Sequence, residues 1–318
     1  MNYEALLKKV EIYKEKFNVL TIGKTCFNRD IFAVEMIRKN NYPTAIFIAS
    51  IHAREHITTD LVCKMIDESL FDEIKDFNVS FILMANPDGV ELCHGGIETV
   101  AENEKKKMIE INNNNINFSM WKANGRGVDL NNNFDANWGT NVGTFKPASQ
   151  GFAGKCVESE METKAIVNYT KQIKPFFTVS YHSKGEEIYY NFFQNKKELE
   201  RDRFIAERFA KSTGYVIKNP ETSSSGGYKD FCVKHLKIPA LTIEVGDDNL
   251  SHPIGRDHLE EIFNKNKNVA KDLEYAYNIF RKFEEWIYGI RRKIYEKSNR
   301  SCKKSIWNWR SSGGCRCC

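Results

Sequence analysis

Two residues three positions apart, His52 and Glu55 in "IHAREH", follow directly on the apolar run "AIFIAS". Imidazole nitrogen and carboxylate oxygen are the ligands of a catalytic zinc, which takes three protein groups and keeps a fourth position open. A His-x-x-Glu pair at a strand-to-helix corner can turn both side chains toward one ion. His56 adds a second spacing, His-x-x-x-His, over the same stretch. Further on, "FFTVSY" ends in His182 and "ALTI" ends in Glu244. A single histidine at the end of a strand is more often a satisfied structural residue. Three placements of His, Glu and His favour a shared ion instead. Such an ion lowers the pKa of bound water to about 7 and polarises a carbonyl as a Lewis acid. The chemistry then needs a general base, and Glu244 is a carboxylate at the end of a very apolar strand.

The elements that must place these residues are legible from hydrophobic periodicity. "NVLTIG" and "IFAVEMI" read as strands around a turn at "NRD", and "TAIFIAS" and "VSFILMA" as short buried strands, the latter stopped by a turn at Asn86–Gly89. Apolar residues at helical spacing run through residues 57–70. After an Asn-rich polar stretch (101–118), "FFTVSYH" and "PALTIEVG" are two more strands, with helices expected near 196–212 and 227–236. A long helix of about residues 255–290 closes the pattern, and the N-terminal "MNYEALLKKVEIYKEKF" is an amphipathic, charge-rich helix. Alternation of strands and helices over this length predicts an α/β fold with a parallel or mixed central sheet. Ligand sites in such sheets lie beyond the carboxyl ends of the strands, where His52, Glu55, His182 and Glu244 all fall.

Composition narrows the function classes. The chain has 318 residues, 41% hydrophobic and 28% charged, with a net charge of +5. Lysines and acids alternate, as solvated helix faces do. Without a repeated basic and aromatic cluster, no nucleic-acid partner is expected. The longest apolar runs fall well short of the ~20 residues of a membrane-spanning helix, and the N-terminal segment lacks the apolar stretch of a secretory signal. Nine cysteines, an odd and scattered number, suit reduced thiols in a cytoplasm. One domain over 1–290 is expected, followed by a basic, disordered tail over 291–318. Cys315, Cys317 and Cys318 in that tail do not match a zinc knuckle.

The motifs "HAREH", "NPDGV", "GVDLNNNF", "YHS" and "PALTIEVG", in that order, resemble those of the zinc carboxypeptidases over roughly residues 18–285. The resemblance implies one α/β domain with a mixed, roughly eight-stranded sheet and helices on both faces. It implies one Zn²⁺ per chain, held by His52, Glu55 and His182, with Glu244 as the base and His56 outside the ligand set. The family places a cation just after a tryptophan to stabilise the oxyanion. "MWKANGRG" supplies Lys122 there, with Arg126 close by, and Lys lacks the planar fork of Arg. Arg54 matches a substrate-contacting arginine; otherwise it is a surface residue.

Two departures bear on the substrate. Where family members read "DLNRNF", this chain reads "DLNNNF", so Asn131 is kept and Asn132 replaces the arginine that grips a free C-terminal carboxylate. A bidentate Arg–carboxylate contact is the specific way to read a chain terminus, and asparagine cannot supply it. The active-site tyrosine of the family falls near Thr222, leaving Tyr228 as a possible substitute. Within the family, "YHSKGEEIYY", "GGYKDF" and "DLNNNF" look most like the γ-D-glutamyl-diamino acid endopeptidases. The expected partner is therefore a peptide substrate, a bacterial cell-wall muropeptide. Two alternatives stay open: a carboxypeptidase with a relocated carboxylate clamp, and a catalytically silent zinc- or peptide-binding protein.

Overall fold

A computed structural model describes residues 1–140, 142–218 and 226–289. In chain order the elements are α1 (Tyr3–Lys14), β1 (Asn18–Lys24), β2 (Asp30–Met36), β3 (Thr44–Ile48), α2 (Ile57–Asp67), β4 (Asn78–Ile82), α3 (Pro87–Gly95) and α4 (Glu102–Ile111). There follow α5 (Met161–Ile173), β5 (Phe177–His182), β6 (Glu187–Tyr189), α6 (Lys196–Thr213), β7 (Val216–Lys218), α7 (Tyr228–Phe231), β8 (Ala240–Glu244) and α8 (Leu259–Asn266). A further helix, α9, covers residues 269–289.

The eight strands form one sheet in the order β1-β2-β4-β3-β5-β8-β6-β7. Its centre is parallel, β4 with β3, β3 with β5 and β5 with β8, while β1, β2 and β6 join antiparallel to their inner neighbours. The central strands are apolar on both faces because helices cover both. Side chains alternate across a strand, so Phe47 of β3 packs on one face with Phe81 and Tyr181, at ring separations of 5.2 and 6.2 Å. On that face lie buried residues of α1, α2, α6, α8 and α9. Ile46 and Ile48 point the other way, into a second core with α5, α7 and the 130–136 segment. A third, smaller core joins α3 and α4 to Phe118 and Trp121.

The α/β expectation and the mixed eight-stranded sheet therefore hold. Some elements differ from the sequence reading. Asn86–Gly89 begins α3: the Asn86 Oδ1 accepts from Gly89 N at 3.0 Å, a side-chain cap, and Pro87 stands in the first turn. The Asn-rich stretch contains α4, and the long C-terminal helix is broken at residues 267–268. The five described cysteines are all free thiols, three of them buried. No described helix is long and apolar enough to cross a membrane. The 291–318 tail, with Cys315, Cys317 and Cys318, lies outside the described residues, as does Thr222.

Candidate zinc site

The sheet topology itself assembles the site. β3 and β5 pair directly, and β5 pairs with β8 so that His182 stands opposite Glu244. The chain leaves β3, passes a corner at Ser50–His52 and enters α2. Thr58 fixes that corner: its hydroxyl accepts from Ser50 N at 2.9 Å and donates to Glu55 O at 2.8 Å. A second brace comes from outside, where Ala53 N donates to Lys122 O at 3.0 Å and Asn86 Nδ2 donates to both Ile51 O and Ala123 O. These contacts bring Lys122 to the same strand ends as His52.

The three candidate ligands converge. His52 Nδ1 lies 2.8 Å from Glu55 Oε1, His182 Nδ1 lies 2.9 Å from Glu55 Oε2, and the two Nδ1 atoms are 3.0 Å apart. All three residues are buried. Burial alone would raise the Glu55 pKa, but the two facing rings overcome it and hold the carboxyl well below its usual range. Glu244 has the opposite balance. Burial and the charge of Glu55 push its carboxyl up to about 8, against the pull of His182 and Lys122. Two carboxyls near each other thus differ in proton affinity, an arrangement that separates a ligand from a base.

Asp129, which sequence reasoning passed over inside "GVDLNNNF", joins the group from behind. Its Oδ1 is 3.3 Å from His52 Nε2, and its Oδ2 is 3.5 Å from Lys122 Nζ and accepts from Gly151 N at 3.1 Å. Against its burial, Lys122 and His52 hold the Asp129 carboxyl below its usual pKa. A carboxylate behind a histidine favours the tautomer with hydrogen on Nε2, which turns the Nδ1 lone pair inward. Two inward nitrogens and one carboxylate oxygen are the donor set of a catalytic zinc, and the residues present fit that ion.

Residues 3–268 match the family described as zinc carboxypeptidase. The chain belongs to that family. Against the γ-D-glutamyl-L-diamino acid endopeptidase 1 of Lysinibacillus sphaericus it is 29% identical over 238 residues, 69% of this chain and 59% of the relative. The chain thus spans about three fifths of that protein's length. Among solved structures, bovine thrombin-activatable fibrinolysis inhibitor, in complex with tick carboxypeptidase inhibitor, superposes with a TM-score of 0.71 at 18% identity, covering 87% of this chain and 97% of that one. The murein-tripeptide amidase MpaA of Escherichia coli O157 gives a TM-score of 0.53 at 18% identity, over 82% and 94% of the two chains. These likenesses confirm the zinc carboxypeptidase fold.

The remaining candidates separate clearly. Lys122 feels Asp129, Glu55 and Glu244, the charges of the site. Arg126 is half-exposed and turned to Glu160, with Nε 3.8 Å from Oε2. Arg54 reaches Gln150 Oε1 at 3.2 Å, and its buried Nε has no hydrogen-bond partner among the described residues. Asn131 Oδ1 accepts from Tyr228 N at 3.1 Å, so part of its side chain serves the backbone. Tyr228 itself is fully buried: its hydroxyl meets Thr170 Oγ1 at 3.0 Å and its ring packs on Phe134. It is a core residue and cannot replace the family's tyrosine, because no part of it reaches solvent. His56 packs beside His94, with ring centroids 5.4 Å apart. His252, on the loop after β8, has a buried Nδ1 with no hydrogen-bond partner among the described residues and lies within the fields of Glu55, Arg54, Lys184 and His52. No motif flagged it. Finally, Lys122, Asp129 and Asn132 form part of the wall of a cavity of about 850 Å³.

Proposed function

We propose that this zinc carboxypeptidase relative is a zinc-dependent peptidase that cuts the γ-D-glutamyl–diaminopimelate bond of bacterial wall peptides. A bound zinc ion supplies a Lewis acid that polarises the scissile carbonyl and acidifies water. His52, Glu55 and His182 hold it, and Asp129 orients His52. Glu244 accepts a proton from the attacking water and returns it to the leaving amine, the work of a carboxylate beside the reacting bond. Lys122 Nζ, rather than Arg126, faces the charge that builds on the carbonyl oxygen; a preorganised donor there typically lowers the barrier by about 3 to 4 kcal/mol.

The observation that carries the substrate class is Asn132. It lines the cavity where exopeptidases of the family have their carboxylate-gripping arginine, so the site lacks the bidentate reader of a free chain end. The similarity to an endopeptidase of γ-D-glutamyl-diamino acid bonds supports the same reading. The wild type is therefore expected to cut γ-D-glutamyl–diaminopimelate peptides with or without further residues and to cut ordinary free-terminus dipeptides poorly. Chelator should abolish both activities. Asn132→Arg should raise kcat/KM on free-terminus peptides about tenfold, the effect of one charge-assisted contact of 1.5 to 3 kcal/mol. Efficient trimming of ordinary peptides by the wild type would leave a carboxypeptidase with a relocated clamp, and Arg54 would be the residue to test for it.

A further inference from the structure

We infer that the cavity of about 850 Å³ beside the zinc site binds the distal amino-acid head of the diamino residue, with Lys146 reading its carboxylate and Glu110 its ammonium. This rests on the wall-peptide reading and deepens it. Diaminopimelate differs from lysine at one place only. Three methylenes beyond the centre carrying the scissile amide, it has both an ammonium and a carboxylate, where lysine ends in an ammonium alone. A site that distinguishes the two needs an uncommitted cation, an uncommitted anion and an apolar path between them and the reacting bond.

The cavity has these parts. It adjoins the zinc site through Lys122 and Asp129, which both stand in its wall, with Lys122 Nζ 3.5 Å from Asp129 Oδ2. Its wall includes Lys107, Glu110 and Ile111 of α4, and Lys146 and Pro147 of the 143–151 segment. That segment is held against the site: Lys122 N and Ala123 N both donate to Ser149 O, at 3.0 and 2.9 Å, and Ala148 N donates to Gly127 O at 3.0 Å. Neither Lys146 nor Glu110 has an ion-pair partner among the described residues, whereas Lys107 is engaged by Glu104 of its own helix at 3.3 Å. Ile111 and Pro147 line the same cavity and both pack against Gly127: a Cβ on that glycine would meet Ile111 Cγ2 at 2.8 Å and Pro147 Cβ at 3.1 Å. Methylenes fit that apolar pair, and the zwitterionic head fits the two charges of the same wall. Lys146 and Glu110 are both exposed, so both contacts are partly solvated, and the selectivity between the two diamino residues is set by Lys146 alone.

The test uses the zinc-loaded full chain and two tripeptides, L-Ala-γ-D-Glu-meso-diaminopimelate and L-Ala-γ-D-Glu-L-Lys. The wild type should favour the first about tenfold in kcat/KM, chiefly through KM. Lys146→Met should bring that ratio close to one. Glu110→Gln should lower kcat/KM on both substrates severalfold, since both carry the distal ammonium, and should have no such effect on the Nε-acetyl-lysine analogue. A wild type that cuts both tripeptides equally, a Lys146→Met variant that keeps the wild-type ratio, or a Glu110→Gln variant that cuts both tripeptides as fast as the wild type would overturn the assignment while leaving the wall-peptide reading intact. A wild type that cuts neither tripeptide but trims ordinary peptides would show that the underlying reading has failed, and this assignment with it.

Discussion

Among the described residues, one buried cluster and one largely buried cluster hold metal-ligand side chains at similar spacing, and they have solved the problem of buried charge differently. His52, Glu55 and His182 form one; Cys26, Asp88 and Glu162 form the other. In the first, the ligand atoms face one another, and the supporting carboxylate Asp129 and the cation Lys122 stand behind them. In the second, Asp88 is already compensated: Arg29 Nη1 reaches its Oδ1 at 2.8 Å, and Phe27 N donates to Oδ2 at 2.9 Å. Burial, helped by Asp88, drives the Cys26 thiol well above its usual pKa, which keeps it protonated. Burial and the charges of Asp88 and Glu160 push Glu162 up to about 8, so it also keeps its proton near neutrality. Ligand-type residues at ligand-like distances therefore do not define a metal centre. What distinguishes the first cluster is that its charges are left for a cation to balance, at the carboxyl ends of strands and beside an open cavity.

The largest expected effect tests that contrast directly. His182→Ala should lose stoichiometric zinc and with it activity, while Cys26→Ser should keep one zinc per chain; metal analysis of both purified proteins decides. Zinc retained by the first variant and lost by the second would reverse the roles of the clusters. Glu244→Gln should keep its zinc and bind substrate, yet turn over about 10² to 10⁴-fold more slowly, because only the proton acceptor is gone. Near-normal turnover would move the base to another carboxylate. Next in size, Lys122→Ala should lower kcat by roughly 10² to 10³-fold. Arg126→Ala should change it little, since that arginine is engaged with Glu160 outside the site. Equal losses in the two would break the distinction drawn between them.

The smallest effect belongs to the second cluster and concerns stability. Glu162 gives up its proton near 4.5 when unfolded but holds it to about 8 when folded. Between those values the unfolded chain binds fewer protons than the native one, so stability falls as pH rises, by at most about 1.4 kcal/mol per unit. Glu162→Gln removes this dependence. Thermal melts of the zinc-loaded proteins from pH 5 to 8 should show the variant gaining on the wild type as pH rises. Parallel curves would mean that Glu162 is ionised and otherwise compensated in the native state.

The candidate zinc group drew attention in the sequence because His182 and Glu244 end apolar strands and His52 follows one closely, so period and polarity change together there. Asp129 did not, since it stands in a segment of turns and asparagines where no periodicity marks one residue as inward. The same limit hid β6 and β7, which at three residues each are too short to show a two-residue repeat. α4 was masked by its composition, with Met108 its one fully buried side chain among lysines and glutamates. Tyr228 misled for a different reason: a tyrosine after two glycines reads as a loop residue, but Gly227 brings the backbone against Asn131 and turns the ring inward onto Phe134.

The direct pairing of β3 with β5 also has a kinetic consequence. His52 and His182 are 130 positions apart, so no local fragment of the chain contains the zinc group. It comes into being only when the central parallel strands have closed that long loop, and such distant pairings are the slow part of folding. Metal arriving earlier meets scattered histidines and carboxylates rather than a site. Zinc is therefore expected to act on the finished sheet, slowing unfolding while leaving the rate of folding unchanged. The metal would then be a lock on this architecture, with no part in its construction.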